Sequence, residues 1–405
     1  MSTGLEKNNR LLKLVNNFFG DEDMNARDRW NRIMKYEKVD RLPVLAIEWY
    51  FEDITIQNWR LQGLPKNKTP EEFLEMDRVV DIPINFMPIP AFEHKILFED
   101  ENTIIETDDM GTTVKRDKKA PKMFYGHIAH PVKDFSDWND YKKHFDAKKE
   151  GRYFADMIES GISATLAQKS TIDNINYQDT ELEYKLKQLD ESENPIGLNF
   201  LPFFMRLGFY TMGMERFLMA FYDYPELIHD MFSFWSEFIL ELISPVLGKV
   251  KIDYVTITED LAYKNGPHFS PQIYKEFWLP YQNNIISQLK KNGIELINIW
   301  TSGNIDALLP IMMSNGINCT WPVDRNSDMD PVRLRKEYGK ELRMVGGIPK
   351  QTLFDGKDAI DREIDRLMPL IEEGGFIPAL DDVVPPETPL NHYIYLIEKI
   401  KSIKL

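Results

Sequence analysis

The chain is short of thiols, of positive charge and of long apolar runs. One residue of 405 is cysteine, Cys319, so no disulfide can form within the chain and no thiolate-rich zinc cluster can be built. A single thiol suits a reducing cytosol. Lys and Arg number 49 against 65 Asp and Glu, a formal net charge of -16 with a pI near 5.0. Nucleic acid and anionic membrane surfaces are thereby disfavoured as general partners, because phosphates are repelled before any specific contact forms. No apolar stretch approaches the roughly 20 residues that span a bilayer. The opening MSTGLEKNNR lacks the charged-then-apolar pattern of a signal peptide. The expectation is a cytoplasmic protein.

Several motifs are missing as well. There is no GxGxxG, no GxxxxGKS, no Ser-His-Asp order and no nucleophile elbow, so nucleotide binding and serine-type hydrolysis find no support. Of seven histidines, His127 and His130 stand three apart without a carboxylate or cysteine set at ligand spacing, and no metal is expected there.

What the chain does have is apolar mass, 43% hydrophobic and 12% aromatic, enough for a large core. Apolar runs bounded by breakers predict strands over Leu42–Glu48, Val79–Asn85, Ile196–Leu201, Tyr254–Thr258, Ile294–Trp300, Ile317–Trp321, Leu342–Gly347 and Phe376–Leu380. Helical spacing follows the later ones: Pro271–Lys291, Asn304–Ser314, Pro331–Tyr338, Lys357–Glu373 and Pro389–Ile403. Ser270-Pro271 and Asp330-Pro331 sign helix starts, while Gly293, Gly339 and Gly374 sign helix ends. This alternation predicts a single (β/α)8 TIM barrel over 1–405. Residues 88–151 break the rhythm. There Lys95–Phe98, Asn102–Glu106 and Gly111–Lys115 read as a β-hairpin or small meander inserted after the second strand. Arg152–Asp190 reads as a charged, partly solvent-facing helical stretch.

In a barrel of this kind, side chains at the carboxyl ends of strands converge on one mouth. The candidates are then Glu48 and Trp49, Asn85, Phe203 and Phe204, Glu259 and Asp260, Trp300, Ser302 and Asn304, Trp321 and Asp324, Gly347, and Asp381 and Asp382. Asp253–Pro267 carries the sharpest signal, a buried β-branched strand that stops on two adjacent carboxylates. His268 follows it closely and is a candidate acid or base. Acids with aromatic neighbours describe a polar pocket with apolar walls, suited to an organic substrate. Glu259 could equally cap a helix, and Trp300 and Trp321 could belong to the core.

Glu259-Asp-Leu-Ala-Tyr-Lys-Asn-Gly-Pro267, Gly303-Asn-Ile-Asp306, Leu334-Arg-Lys-Glu-Tyr-Gly339, Gly346-Gly-Ile348 and Pro386-Glu-Thr-Pro389, in this order, resemble the uroporphyrinogen decarboxylase superfamily. Gly213-Met-Glu-Arg-Phe217 and Phe221-Tyr-Asp-Tyr-Pro-Glu226 add to the likeness. It implies a uroporphyrinogen decarboxylase-like barrel, often a homodimer, in a group that holds decarboxylases and corrinoid- or methylcobalamin-dependent methyltransferases. The departures narrow it. Where decarboxylases of the family carry an arginine motif after the first strand, this chain has Ile47-Glu-Trp-Tyr-Phe-Glu-Asp53, an acidic loop that repels a polycarboxylate. The family's catalytic aspartate falls on Asn85 and its late histidine on Asp382. The zinc ligands of the thiol-activating methyltransferases fall on Trp300, Ser302 and Asp382, which cannot form that site.

The leading expectation is a corrinoid-linked methyltransferase of O-demethylase type acting on a small methyl donor. No cofactor is expected to be tightly bound, and the corrinoid would come from a partner protein. Glu259 or Asp260 would act as acid or base, tuned by Asp382 and Glu48. Trp49, Trp300, Trp321, Tyr263, Asn85, Ser302, Asn304 and Asp381 would surround the substrate. The alternative is a decarboxylase using Arg206 and Lys264 as cationic groups. A second alternative is a non-catalytic ligand-binding barrel.

Overall fold

Tyr254-Val-Thr-Ile-Thr258, β-branched at four of its five positions, is a strand over its whole predicted length. The computed structural model describes residues 24–46, 51, 53–120, 125–153 and 182–405. In chain order its strands begin with β1 (Leu45–Ala46), β2 (Asp77–Arg78) and β3 (Val80–Asp81). Next come β4 (Lys95–Glu99), β5 (Thr103–Thr107), β6 (Thr113–Asp117) and β7 (Tyr125–Ala129). They are followed by β8 (Ile196–Phe200), β9 (Tyr254–Thr258), β10 (Ala262–Tyr263) and β11 (Gly266–Pro267). The last are β12 (Ile297–Trp300), β13 (Cys319–Val323), β14 (Arg343–Ile348) and β15 (Phe376–Leu380).

Seven strands form one parallel sheet in the order β15-β14-β13-β12-β9-β8-β3. β1 pairs in parallel with β2, which a single residue separates from β3. The strands thus lie side by side in the expected order, and among the described residues no ladder joins β15 back to β1. The architecture is mixed α/β with a curled, open parallel sheet. The curl is visible in one nine-residue helix, Ala26–Met34. Arg27 and Asn31 bind Asp253 ahead of β9, Trp30 packs on Tyr254 and Trp321, and Ile33 accepts a hydrogen bond from Gly375 ahead of β15. A flat sheet could not bring three such distant strands to one helix, which covers the amino-terminal end of the curl.

The helices follow their caps. Ser270 receives Ile273 N–H and starts a helix that widens to a π-turn over Tyr274–Trp278 before Leu279–Lys291. Asp330 caps Pro331–Tyr338 through Val332 N and Arg333 N. Lys357–Glu373 and Leu390–Lys401 complete the second half. The helix expected over Asn304–Ser314 is Leu309–Asn315, because Pro310 fits only its first turn and Asn304 instead accepts Asp306 N–H in a loop. The strand expected over Val79–Asn85 ends at Asp81, ahead of Pro83, which cannot donate to a ladder. Of Leu42–Glu48 the strand keeps Leu45–Ala46, and residues 47–50 lie outside the description. Within Arg152–Asp190, Leu182–Asp190 is helical and residues 154–181 lie outside it.

The strands β4 to β7 make a four-stranded antiparallel sheet in the order β4-β5-β6-β7. Its fourth strand, β7, carries His127 against Phe209 and Tyr210 of helix Phe204–Met212. Thr112 Oγ1 donates to Tyr210 O. This sheet therefore lies against the helix that follows β8.

Candidate active site

In parallel neighbours, register partners point to the same side of the sheet. Asp81 pairs with Gly197, Gly197 with Tyr254, Asn199 with Thr256, Thr258 with Trp300, and Trp300 with Trp321. These residues, with Asn298, face the inside of the curl. The alternate row, Leu198, Val255, Ile257, Ile297 and Ile299, is fully buried under the helices. Inward-facing Asp81, Asn199, Trp300 and Ala379 are only half-buried. Tyr254, Thr256, Thr258, Asn298 and Trp321 of the same row are buried, so the interior is a largely enclosed polar space, where barrels of this class more often pack branched aliphatic layers.

Asp81 is the carboxylate of that space. Tyr254 Oη donates to its Oδ1 at 3.0 Å, and Asn199 also hydrogen-bonds to it. Thr258 Oγ1 donates in turn to Asn199 Oδ1 at 2.6 Å. Burial pushes the Asp81 carboxyl up to about 6, against the pull of the Tyr254 and Asn199 donors. Gly197 makes the arrangement possible. A Cβ there would stand 2.3 Å from the Tyr254 ring and 2.6 Å from Asp81 Oδ1. Reading strand ends alone misses Asp81, which sits mid-way through the predicted second strand. The available signal was an acid inside an apolar run.

Glu259 continues the outward row of Val255 and Ile257. It is 1% exposed, and its carboxylate accepts Trp278 Nε1 at 2.9 Å, Met205 N at 2.8 Å and Arg206 N at 3.3 Å. Helix Phe204–Met212 has no side-chain cap of its own, and Glu259 satisfies its orphan first-turn donors from another element. Burial pushes its carboxyl up to about 8, although all three donors favour the ionised form. Expected at the mouth, Glu259 is instead enclosed beneath it, because one residue of strand alternation turns it to the helices.

Asp260 continues the inward row of Thr256 and Thr258. Its Oδ2 lies 3.0 Å from Arg206 Nη2. The Arg206 guanidinium sits over the Trp300 ring at 5.4 Å and donates to Tyr210 Oη at 3.2 Å. Asp260 leads the charges that hold Arg206 protonated against its burial. His268 is lowered by burial, with Asp260 acting against that; its ring stacks on Tyr263, which is exposed with Lys264 in the β10–β11 hairpin. Gly303, at φ +89°, lets the loop after β12 approach this hairpin, where a Cβ would come within 2.6 Å of Ala262 O.

A second acid cluster follows β13 and β15. Asp381 is fully buried, accepts Lys350 N at 2.9 Å, and is pushed up to about 7 by burial, with Asp324 and Asp382 contributing. Asp382 is half-exposed and pairs with Lys350 Nζ at 2.6 Å. Asp324 Oδ2 accepts Gly303 N and Ser327 Oγ. Ser302 and Asn304 are half-buried beside it, and Asn304 N donates to Tyr263 O.

Other expected positions serve structure. Phe203 and Phe204 are fully buried, Phe204 stacking on Phe232 at 4.4 Å. Asn85 is tied into loop backbone, donating to Gly151 O and accepting Met87 N. Trp321 faces inward but lies low in the curl, 6% exposed and packed toward Trp30. Glu48 and Trp49 lie outside the described residues. Among the described residues no group of three or more His, Cys, Asp or Glu could hold a metal ion.

The family model described as uroporphyrinogen decarboxylase (URO-D) matches residues 200–403, which run from β8 to the last helix. The chain belongs to the uroporphyrinogen decarboxylase family. Within the family, the decarboxylase of Nostoc punctiforme is 26% identical over 188 residues, 46% of this chain and 50% of that protein. The decarboxylase of Myxococcus xanthus is 20% identical over 263 residues, 62% of this chain and 71% of that protein. The chain thus spans about half the length of the first curated relative. In structure, a methyltransferase from Methanosarcina mazei matches with a TM-score of 0.53 at 14% identity, covering 93% of this chain and 98% of that one. That likeness is one of fold. No helix among the described residues is long and apolar enough to cross a membrane.

Proposed function

We propose that this member of the uroporphyrinogen decarboxylase family is a corrinoid-linked methyltransferase that demethylates a small organic ether. Its strands would form a closed (β/α)8 barrel in one domain, with the substrate inside. The observation that carries the reading is the polar inward row in which Tyr254 and Asn199 hydrogen-bond to Asp81, whose carboxyl is pushed up to about 6 by burial. A carboxyl with that pKa can donate a proton close to neutrality.

In the step proposed, the bond between the methyl carbon and the ether oxygen breaks, and the Asp81 proton goes to the departing oxygen to give an alcohol or phenol. The corrinoid, carried by a partner protein, supplies the acceptor for the methyl group. Tyr254 and Asn199 orient the acid, Thr258 extends that network, and the Trp300 face lines the substrate's flat side. The exposed Tyr263 ring suits a flat macrocycle presented from outside. The general acid is thus Asp81 rather than Glu259, whose oxygens are committed to the helix.

Decarboxylation of uroporphyrinogen is the second reading, favoured by what the curated sequence relatives are called. A substrate with many carboxylates needs many cations, and the mouth offers Arg206, from helix Phe204–Met212, already paired with Asp260. Supplying the purified protein with cob(I)alamin and a panel of methyl ethers, and separately with uroporphyrinogen, decides between them. Methylcobalamin is expected in the first incubation. Coproporphyrin in the second, with no methylcobalamin in the first, would overturn the proposal.

A further inference from the structure

Arg206 stands at the mouth with its hydrogen-bonding capacity partly unused. Nη1 donates to Tyr210 Oη, Nη2 lies 3.0 Å from Asp260 Oδ2, and Nε, shielded from solvent, has no acceptor among the described residues. Nε and Nη2 form the fork that a carboxylate takes through two parallel bonds. Asp260 holds one prong only. Its side chain is 40% exposed while that of Arg206 is 13% exposed, so the acid can move out to water and the guanidinium cannot. A buried guanidinium N–H without an acceptor is costly, and the fork is poised to exchange its partner.

We propose that Arg206 receives a carboxylate borne by the methyl donor, and that Asp260 holds its place in the free protein. The inference rests on the reading that substrate enters the curl at the carboxyl ends of the strands. When the substrate's carboxylate takes both Nε and Nη2, Asp260 turns to solvent and the local charge at the fork is unchanged. The Trp300 ring beneath the guanidinium offers a flat wall to a flat ligand. Scale narrows the class further. Trp300 and Asp81 lie on strands three spacings apart, on the order of 14 Å across the sheet, with Trp300 four residues further along in register, so a rigid ring is needed to carry an ether oxygen from Arg206 toward Asp81. The substrate is then an aromatic acid bearing a methyl ether, its carboxylate on Arg206 and its ether oxygen toward Asp81.

Equilibrium binding of 4-methoxybenzoate and of its neutral counterpart methoxybenzene, followed by calorimetry, tests this without any methyl transfer. Wild-type protein is expected to prefer the benzoate by about tenfold or more, as a site built to hydrogen-bond its ligand does. Arg206→Gln is expected to abolish the preference. Asp260→Asn, which removes the placeholder's charge, is expected to tighten the benzoate and leave methoxybenzene unchanged. Should Arg206→Gln fail to fold by circular dichroism, Asp260→Asn carries the test. Equal binding of the two probes, no binding of the benzoate, or weaker benzoate binding in Asp260→Asn would overturn the proposal. A protein that binds as described yet transfers no methyl group leaves the carboxylate site standing and removes only the catalytic reading.

Discussion

Glu259 and Asp260 are adjacent in the chain and serve opposite sides of the sheet. Glu259 accepts Trp278 Nε1 and two backbone N–H groups beneath the helices, while Asp260 reaches Arg206 at the mouth. A pair that looks like one catalytic unit is divided by strand alternation into a structural acid and a site acid.

Removing the first should damage stability. Glu259→Ala strips the cap from helix Phe204–Met212 and leaves the buried Trp278 N–H without an acceptor, which should cost about 2–4 kcal/mol in denaturant unfolding. Glu259→Gln keeps an acceptor and should cost less at pH 5.

The same residue should give stability a pH dependence. Its folded carboxyl is raised from 4.5 to about 8, so the folded state holds a proton that the unfolded state releases. The associated stability is full below about 4.5 and is lost as pH rises through about 8. The difference in stability between wild type and Glu259→Gln should therefore move against wild type between pH 5 and pH 8. A constant difference would contradict the burial assigned here.

Strand alternation was legible in the sequence but underused. Tyr254–Thr258 and Phe376–Leu380 form as predicted, and counting by twos from Thr256 would have placed Asp260 inward and Glu259 outward. Asp81 is hidden from a reading of strand ends, because Pro83 stops this strand four residues before the end its apolar run predicts. The depth of Trp321 could not be read locally, since it depends on Trp30 of a helix nearly three hundred residues earlier. Nor could the burial of Phe203 and Phe204, which arises from helix Pro225–Ile243 folding back over them through Phe232.

Gly197 should tolerate no side chain. Gly197→Ala places a methyl group against the Tyr254 ring and Asp81, which should cost about 1–3 kcal/mol by overpacking. Activity should fall further than stability explains, because both residues of the acid's hydrogen bond are displaced.

Tyr254→Phe should retune the acid without removing it. The phenol donates to Asp81 and favours the carboxylate, so its loss should raise the Asp81 pKa above about 6. The alkaline limb of the rate profile should move to higher pH.

The pH profile of methyl transfer to cob(I)alamin, in wild type and in Asp81→Asn, tests the central claim most directly. A wild-type kcat/KM that falls as pH rises through about 6, with that limb absent and the rate down by about 10²–10⁴ in Asp81→Asn, is the predicted result. Asp81→Asn turning over at the wild-type rate with the same pH profile would contradict it.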